Sequence, residues 1–251
     1  KNESKSRRDF LKDSGRIVAA SALAAGINPS LYASGSDTIK LALIGCGGRG
    51  TGAAGNALNV KTGKTKLVAM ADVFQSRLDR SYANRSRVGP DKVDVPKSRQ
   101  FLGFEAYKDA MSCLDKGDVV ILGTPPAFRW VHFKEAVKRG LNVFMEKPVT
   151  VDGPTTKRMI ELAKQATKKN LKCGVGLMVR HCRGRQELKE RIDNGEIGEI
   201  LMMRGYRMGG RASACKRKPD NISDVLYQIQ RFHSFLWASG GMYNDYYIHQ
   251  I

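Results

Sequence analysis

Asp245 and His249 are the pair of side chains in this 251-residue sequence best suited to acid–base chemistry. If a helix begins at Asp245, their spacing of four residues places both side chains on one helix face. An imidazole can accept a hydroxyl proton at neutral pH, and a carboxylate beside it can orient the ring or bind a second hydroxyl. The pair is a candidate general base with an orienting carboxylate; the competing interpretation of His249 is a histidine packed in a helix. The remaining histidines are interpreted as structural: His132, His181 and His233.

A second chemistry-bearing segment runs from Gly45 to Gly50 and matches the dinucleotide-binding pattern G-x-G-x-x-G. In this pattern the first glycine permits a tight turn, the second lets the backbone approach a pyrophosphate, and the third allows a helix to contact a strand. The N-terminus of the following helix then faces the phosphates. The motif assigns Gly45, Gly47, Arg49 and Gly50 to a cofactor, whereas the alternative is a purely structural glycine turn.

The elements on either side of the glycines favour the cofactor. Residues 39–44 predict a buried strand, the glycines lead into a helix, and residues 66–71 predict a second strand that ends at Asp72. Asp72 follows Gly45 by 27 residues, near the position at which an acidic residue binds the adenosine ribose hydroxyls. Because its charge would repel a 2′-phosphate, the sequence predicts NAD, with NADP as the alternative since Arg77 is close in sequence.

The alternation of strands and helices continues to about residue 150. Further strands and helices are predicted at 104–114, 118–122, 132–139 and 141–145. This order predicts an α/β fold whose N-terminal part, residues 38–150, is a Rossmann domain with a doubly wound parallel sheet. Ligands of such sheets bind at the carboxyl ends of the strands.

Two short segments follow predicted strands of this domain, Thr124-Pro125 and Glu146-Lys147-Pro148. Together with the glycine motif, and in their spacing, they resemble the glucose–fructose oxidoreductase / inositol dehydrogenase / MocA (Gfo/Idh/MocA) family. The similarity covers about residues 38–251. The E-K-P tripeptide after a strand is its most telling element.

The resemblance implies roles for individual residues. Thr124, Pro125 and Glu146 would join the cofactor site, and Lys147 would lie near the nicotinamide ring and the substrate hydroxyl, where its charge can stabilise the oxygen. The family commonly has a histidine five residues after the threonine, and Arg129 stands there in this chain.

Residues 151–251 predict a C-terminal α+β domain with an open mixed sheet, which would bind substrate and join copies into a homo-oligomer. Helices are predicted at 151–170 and 186–194, and strands at 171–177 and 196–206. The chain is expected to lack further residues of this domain at its C-terminus.

The resemblance extends into this second domain. The family's glycine-rich stretch before D-x-x-x-H is matched by Gly240, Gly241, Asp245 and His249. Arg180 stands at the family's substrate-facing arginine and can grip a carboxylate, as in an anionic sugar. Tyr246 belongs to a tyrosine cluster that either stacks on a sugar ring or is part of the core.

The N-terminus predicts export. Residues 6–12 read Ser-Arg-Arg-Asp-Phe-Leu-Lys, close to the twin-arginine pattern, and a weakly apolar stretch follows at 17–27. That stretch is shorter than the roughly 20 residues of a membrane-spanning helix, so no stable membrane insertion is predicted. We expect a twin-arginine signal peptide over residues 1–33 and a periplasmic protein that folds around its cofactor before export; the alternative is an ordinary amphipathic helix.

Composition excludes a disordered, a collagen-like and a multi-span membrane protein. A hydrophobic fraction of 41% and a charged fraction of 27% are typical of globular proteins. The five cysteines form no C-x-x-C pair, which predicts neither a metal site nor a disulfide framework. The net charge is +19, but the basic residues are spread along the chain, which favours solvated surface charge over nucleic-acid binding and leaves an anionic substrate as the alternative.

These features predict an exported NAD(P)-dependent oxidoreductase that acts on a sugar, polyol or sugar acid. Because the periplasm holds little free NAD, the cofactor is expected to stay bound and to be reduced and reoxidised in place. Two other functions remain open. One is a glycoside hydrolase that oxidises C3 of its substrate transiently with the same cofactor, and the other is a non-catalytic dinucleotide sensor.

Overall fold

The computed structural model describes residues 38–206 and 215–249. The predicted signal peptide at 1–33 lies outside these ranges. None of the helices in the described part of the chain combines the length and apolar character that a membrane span requires.

A single parallel sheet of six strands organises the described residues. Its strands are β1 Thr38–Ile44, β2 Lys64–Asp72, β3 Gln100–Leu102, β4 Val119–Leu122, β5 Asn142–Met145 and β6 Cys173–Val175. Their order across the sheet is β3-β2-β1-β4-β5-β6, and every neighbouring pair is parallel. The chain therefore winds outward from β1 to one side and then from β4 to the other, which opens a crevice between the carboxyl ends of β1 and β4.

The helices connect and flank these strands. They are α1 Gly48–Leu58, α2 Gln75–Arg85, α3 Ala106–Ser112, α4 Arg129–Arg139, α5 Gly153–Lys168, α6 Arg183–Asp193, α7 Asp224–Gln230, α8 Leu236–Ser239 and α9 Gly241–Tyr246. Short 3₁₀ turns lie at Ser86–Val88, Lys97–Arg99, Pro126–Phe128, Phe232–Ser234 and Tyr247–His249.

Two apolar clusters cover the two faces of the sheet. Ala42 and Ile44 of β1 belong to the cluster that includes α3, α4 and α5. Leu41 and Leu43 belong to the cluster that includes α1 and α2 on the other face. Because alternate residues point to opposite faces and both faces are covered, residues 41–44 of β1 form a continuous apolar run. The predicted doubly wound parallel sheet is confirmed.

The last strand and the segment after α6 differ from the prediction. The strand predicted at 171–177 is expected in a second, mixed sheet. In the structure it is β6, which pairs with β5 at the edge of the Rossmann sheet. The strand predicted over 196–206 is wrong: residues 200–206 have no regular structure, and Leu201 and Met203 are 90% and 84% exposed. A strand needs a neighbour to satisfy its backbone groups, and no described strand lies beside this segment. The described residues therefore form no open mixed sheet.

Candidate active site

The turn between β1 and α1 has the geometry of a phosphate-binding loop. Gly45 has φ +91°, and a Cβ there would lie 2.6 Å from the backbone nitrogen of Thr124. A Cβ on Gly50 would lie 1.9 Å from the carbonyl oxygen of Gly45. Gly47 has no atom within 4 Å of an added Cβ, and it begins α1 without a side-chain cap. The backbone N–H groups of this helix terminus are thus available to a pyrophosphate.

The Gly50→Ala variant is expected to lose about 3 kcal/mol of unfolding free energy, because the new methyl group would meet a backbone oxygen that cannot move without opening the turn. Urea unfolding measures this loss. Gly52→Ala is the matched control in the same helix: nothing lies within 4 Å of its Cβ, so it should gain up to about 1 kcal/mol. Equal unfolding free energies for the two variants would contradict the assigned packing.

Asp72 ends β2 beside this turn and is held there by two backbone donors. The N–H of Cys46 donates to Oδ2 at 2.7 Å, and the N–H of Phe74 donates to Oδ1 at 2.9 Å. Burial raises the pKa of Asp72 above its ordinary value, against the effect of these hydrogen bonds. Each carboxylate oxygen keeps a further lone pair, so Asp72 can still accept hydrogen bonds from ribose hydroxyls.

The Asp72→Ser variant is expected to lower the ratio of NAD to NADP affinity about 10- to 100-fold, because it removes a charged hydrogen-bond acceptor and a repulsion toward a 2′-phosphate. Titration of the protein with NAD and NADP by calorimetry measures both affinities. Asp79→Ser, which changes an exposed carboxylate on α2, is the control. An unchanged ratio would remove Asp72 from the cofactor site.

Three segments that follow strands stand side by side over the crevice. The N–H of Gly123 donates to the carbonyl of Ile44 at 2.7 Å, and the N–H of Glu146 donates to that of Leu122 at 3.0 Å. The parallel hydrogen bonding thus continues one step beyond the strands. As a result, the glycine turn, Thr124-Pro125 and the E-K-P segment lie at the same edge of the sheet.

Glu146 and Arg49 connect the outer two of these segments. Nη2 of Arg49 donates to Oε1 of Glu146 at 2.5 Å, and the glutamate is buried whereas the arginine is largely exposed. Gly176, just after β6, leaves room for the carboxylate, since a Cβ there would lie 2.7 Å from Oε2 of Glu146. This ion pair ties the first turn of α1 to the end of β5.

Arg129 and His132 both contact Thr124. The buried guanidinium of Arg129 donates to the carbonyl oxygens of Leu122 and of Thr124, the latter at 2.6 Å. Nδ1 of His132 lies 3.1 Å from Oγ1 of Thr124. Burial, aided by the charge of Arg129, lowers the pKa of His132 to about 3, so this imidazole is neutral. Both residues position the threonine, although Arg129 differs from the family's usual histidine.

Lys147 and Asp245, predicted to share a site, are in direct contact. Nζ of Lys147 donates to the backbone oxygen of Asp245 and lies 3.2 Å from its Oδ1. Both side chains are mostly buried. Burial alone would raise the pKa of Asp245, but the hydrogen bond from His233 and the charge of Lys147 lower it below its ordinary value. Asp245 is therefore an ionised carboxylate beside the lysine.

His233 also reaches this carboxylate, although its sequence context had suggested only a structural role. Nδ1 of His233 lies 2.6 Å from Oδ2 of Asp245. The two residues are 12 positions apart, and the chain turns between them at Gly240 and Gly241, where φ is +73° and +77°. A fixed helical spacing connects only residues within one helix, so no local pattern could have shown this contact.

His249 lines the cleft, and Tyr246 lies close to Lys147. The helix that carries Asp245 begins at Gly241, not at Asp245 as predicted, and His249 follows in the 3₁₀ turn Tyr247–His249. The ring of Tyr246 is half-buried, with its centre 5.7 Å from Nζ of Lys147. This places an aromatic face beside the charged group.

A cleft of about 890 Å³ joins these parts. Its lining includes Gly47, Arg49 and Asp72 as well as Lys147, Asp245 and His249. An adjoining cavity of about 480 Å³ shares His249 with the cleft. Its basic side chains are those of Arg180, Arg185 and Lys189.

Comparisons with known proteins identify the family of this chain. Residues 39–177 match a family described as an oxidoreductase family with an NAD-binding Rossmann fold. Inositol 2-dehydrogenase of Corynebacterium glutamicum is 24% identical over 82% of this chain and 55% of its own length. Glycosyl hydrolase family 109 protein 2 of a Shewanella species is 29% identical over 78% of this chain and 44% of its own length. The chain spans about half the length of the curated relatives it matches.

Solved structures show the same likeness. Myo-inositol 2-dehydrogenase from Lactobacillus plantarum matches with a TM-score of 0.54 and 26% identity, over 65% of this chain and 43% of that one. Scyllo-inositol dehydrogenase from Lactobacillus casei, solved with NAD(H) and scyllo-inositol, matches with a TM-score of 0.51 and 25% identity, again over 65% of this chain and 43% of that one.

Proposed function

This chain belongs to the Gfo/Idh/MocA family of NAD-binding oxidoreductases, and on that premise we propose that it oxidises a hydroxyl-bearing carbon of a polyol or sugar. The observation that carries the proposal is the contact of Lys147 with Asp245 after β5, in a cleft that is also lined by the glycine turn. Inositol dehydrogenases among the relatives support a cyclic polyol as the substrate.

Each side chain has a role in this reaction. The glycine turn and Asp72 would hold NAD, which would supply the acceptor for the hydride that leaves the carbinol carbon. Lys147 donates a hydrogen bond to the substrate oxygen and stabilises the negative charge that develops there. His249 accepts the hydroxyl proton, and the products are a ketone, NADH and a protonated base. Asp245 binds a neighbouring hydroxyl or keeps the lysine in place.

The second cavity supports a proposal for the charge of the substrate. Arg180 and Arg185 line the space next to His249, together with Lys189, which is paired with Asp193. A carboxylate on the substrate, as in a uronic or other sugar acid, would be attracted there. Neutral polyols need no such contact. Turnover with a panel of neutral polyols and sugar acids therefore distinguishes the two substrate classes.

The experiment uses the full-length protein. It is purified and denatured, and the released ligand is identified; NAD(H) at about one per chain is expected. The protein is then mixed with inositols, sugars and uronates, and nicotinamide absorbance at 340 nm is followed through a single turnover. A chain that carries no NAD(H), binds it only at millimolar concentration and shows no absorbance change with any compound would contradict the proposed function.

Export is part of the proposal. The twin-arginine-like segment at residues 6–12 supports folding in the cytoplasm, around the cofactor, followed by transfer to the periplasm. A cofactor with no outside supply must be released slowly, and two substrates would then reduce and reoxidise it in turn. Cell fractionation of the full-length protein tests the location.

A glycoside hydrolase is the second candidate, favoured by the family 109 relative. Both functions need Lys147 and a base, because the hydrolase would oxidise and later re-reduce its substrate. Release of a monosaccharide from an aryl glycoside, without net formation of NADH, would select the hydrolase.

A further inference from the structure

We propose that His233 is a positioning residue of this active site, which acts by holding the carboxylate of Asp245 toward Lys147. The inference deepens the proposed function and rests on it for its catalytic consequence. It starts from the contact of 2.6 Å between Nδ1 of His233 and Oδ2 of Asp245. Asp245 thereby stands between two donors, with Lys147 on its other oxygen at 3.2 Å.

The backbone around Asp245 is anchored independently of His233. Nδ2 of Asn244 donates to the carbonyl of Thr150 at 2.6 Å, which ties α9 to the loop after β5. Nζ of Lys147 donates to the backbone oxygen of Asp245 itself. These contacts fix where the residue lies, but they do not determine how its carboxyl group is rotated. That direction depends on the partners of Oδ1 and Oδ2.

His233 is built into the wall of the cleft in a way that suits this role. It lies in the 3₁₀ turn Phe232–Ser234, with the ring of Phe232 centred 3.9 Å from its own and that of Tyr246 at 6.3 Å. The imidazole is about one-third exposed, whereas the carboxylate of Asp245 is 8% exposed. A buried carboxylate oxygen that loses its donor is left poorly solvated, so the group turns or takes up a proton.

His233 acts in this role through the hydrogen-bond donor at Nδ1. An asparagine places its side-chain amide close to the position of Nδ1 and can donate the same hydrogen bond, but it cannot carry a proton. An alanine removes the donor. The two variants therefore separate a positioning role from proton transfer by His233 itself.

The test uses the full chain in four forms: the parent, His233→Ala, His233→Asn and the control His181→Ala, which changes an exposed histidine. The first readout needs no turnover: ¹³C NMR follows the titration of the Asp245 carboxyl. We expect the pKa of Asp245 to rise in His233→Ala and to stay low in His233→Asn and in the control. Far-UV circular dichroism checks that each variant is folded.

The second readout is turnover with NAD and myo-inositol, or with the fastest compound of the panel. His233→Ala should lower kcat about 10- to 100-fold with a smaller change in KM, whereas His233→Asn should keep most of the rate. Equal losses in both variants, with an unchanged pKa of Asp245 in His233→Asn, would overturn positioning in favour of proton transfer. No effect of either variant on the pKa of Asp245 would also overturn it. A parent protein inactive on every compound contradicts the proposed function, while the NMR result still decides on His233.

Discussion

The Lys147→Ala variant is expected to slow reduction of bound NAD about 10²- to 10³-fold, because it removes the cation that stabilises the developing charge on the substrate oxygen. The geometry adds a second effect. Nζ of Lys147 contacts both the backbone oxygen and Oδ1 of Asp245, so its loss leaves the carboxylate without one of its two donors. Its charge also lowers the pKa of Asp245, which should therefore rise in the variant.

Stopped-flow absorbance at 340 nm in a single turnover measures this rate separately from product release. The cofactor should remain bound, because the variant leaves unchanged the glycine turn and Asp72, which also line the cleft. Lys164→Ala, which removes an exposed lysine of α5, is the control and should reduce NAD at the parent rate. A parent rate in Lys147→Ala as well would exclude the lysine from the chemistry.

The His249→Ala variant is expected to slow the same step about 10²- to 10⁴-fold, the usual contribution of a general base. His249 lines both the cleft and the adjoining basic cavity, where the reacting hydroxyl and a charged end of the substrate would meet. Bound NAD should be retained, since the variant leaves the glycine turn and Asp72 unchanged.

The test of His249→Ala combines the single-turnover rate with the amount of NAD(H) released on denaturation. A loss of rate with full cofactor content indicates a chemical role, whereas a loss of both indicates a damaged fold. His181→Ala again gives the matched control. If His249→Ala reduced NAD as fast as the parent protein, the base would have to be sought elsewhere in the cleft.

The nucleotide-binding half of the molecule could be predicted because its determinants are local. The strand, glycine turn and helix around Gly45 and Gly50 occupy consecutive residues, and steric demands within that turn require glycine at both positions. Asp72 was identifiable because it ends the next strand, and a parallel sheet brings that end back beside the turn. The α/β class followed from the same alternation of buried strands and helices.

The C-terminal half was predicted less well because pairing partners are not encoded locally. An apolar run such as residues 171–177 is compatible with any available sheet edge, and only the tertiary structure places β6 beside β5. Residues 200–206 have the composition of a strand but no described neighbour to pair with. Arg129 could be identified as a departure from the family, yet its inward direction beneath Thr124 depends on the packing of α4.

The fold of the nucleotide-binding part and the type of cofactor follow from residue patterns, because they depend on spacing within one element or on the fixed direction of parallel strands. Lys147, Asp245 and His249 became candidates for the chemistry through the resemblance of their motifs to the family. The tertiary structure was needed to show which side chains meet: His233 with Asp245 across a glycine turn, Lys147 with Asp245 over 98 residues, and Arg129 and His132 with Thr124. Contacts between distant residues arise when elements pack, and packing depends on the shape and charge of every surface that they bury together.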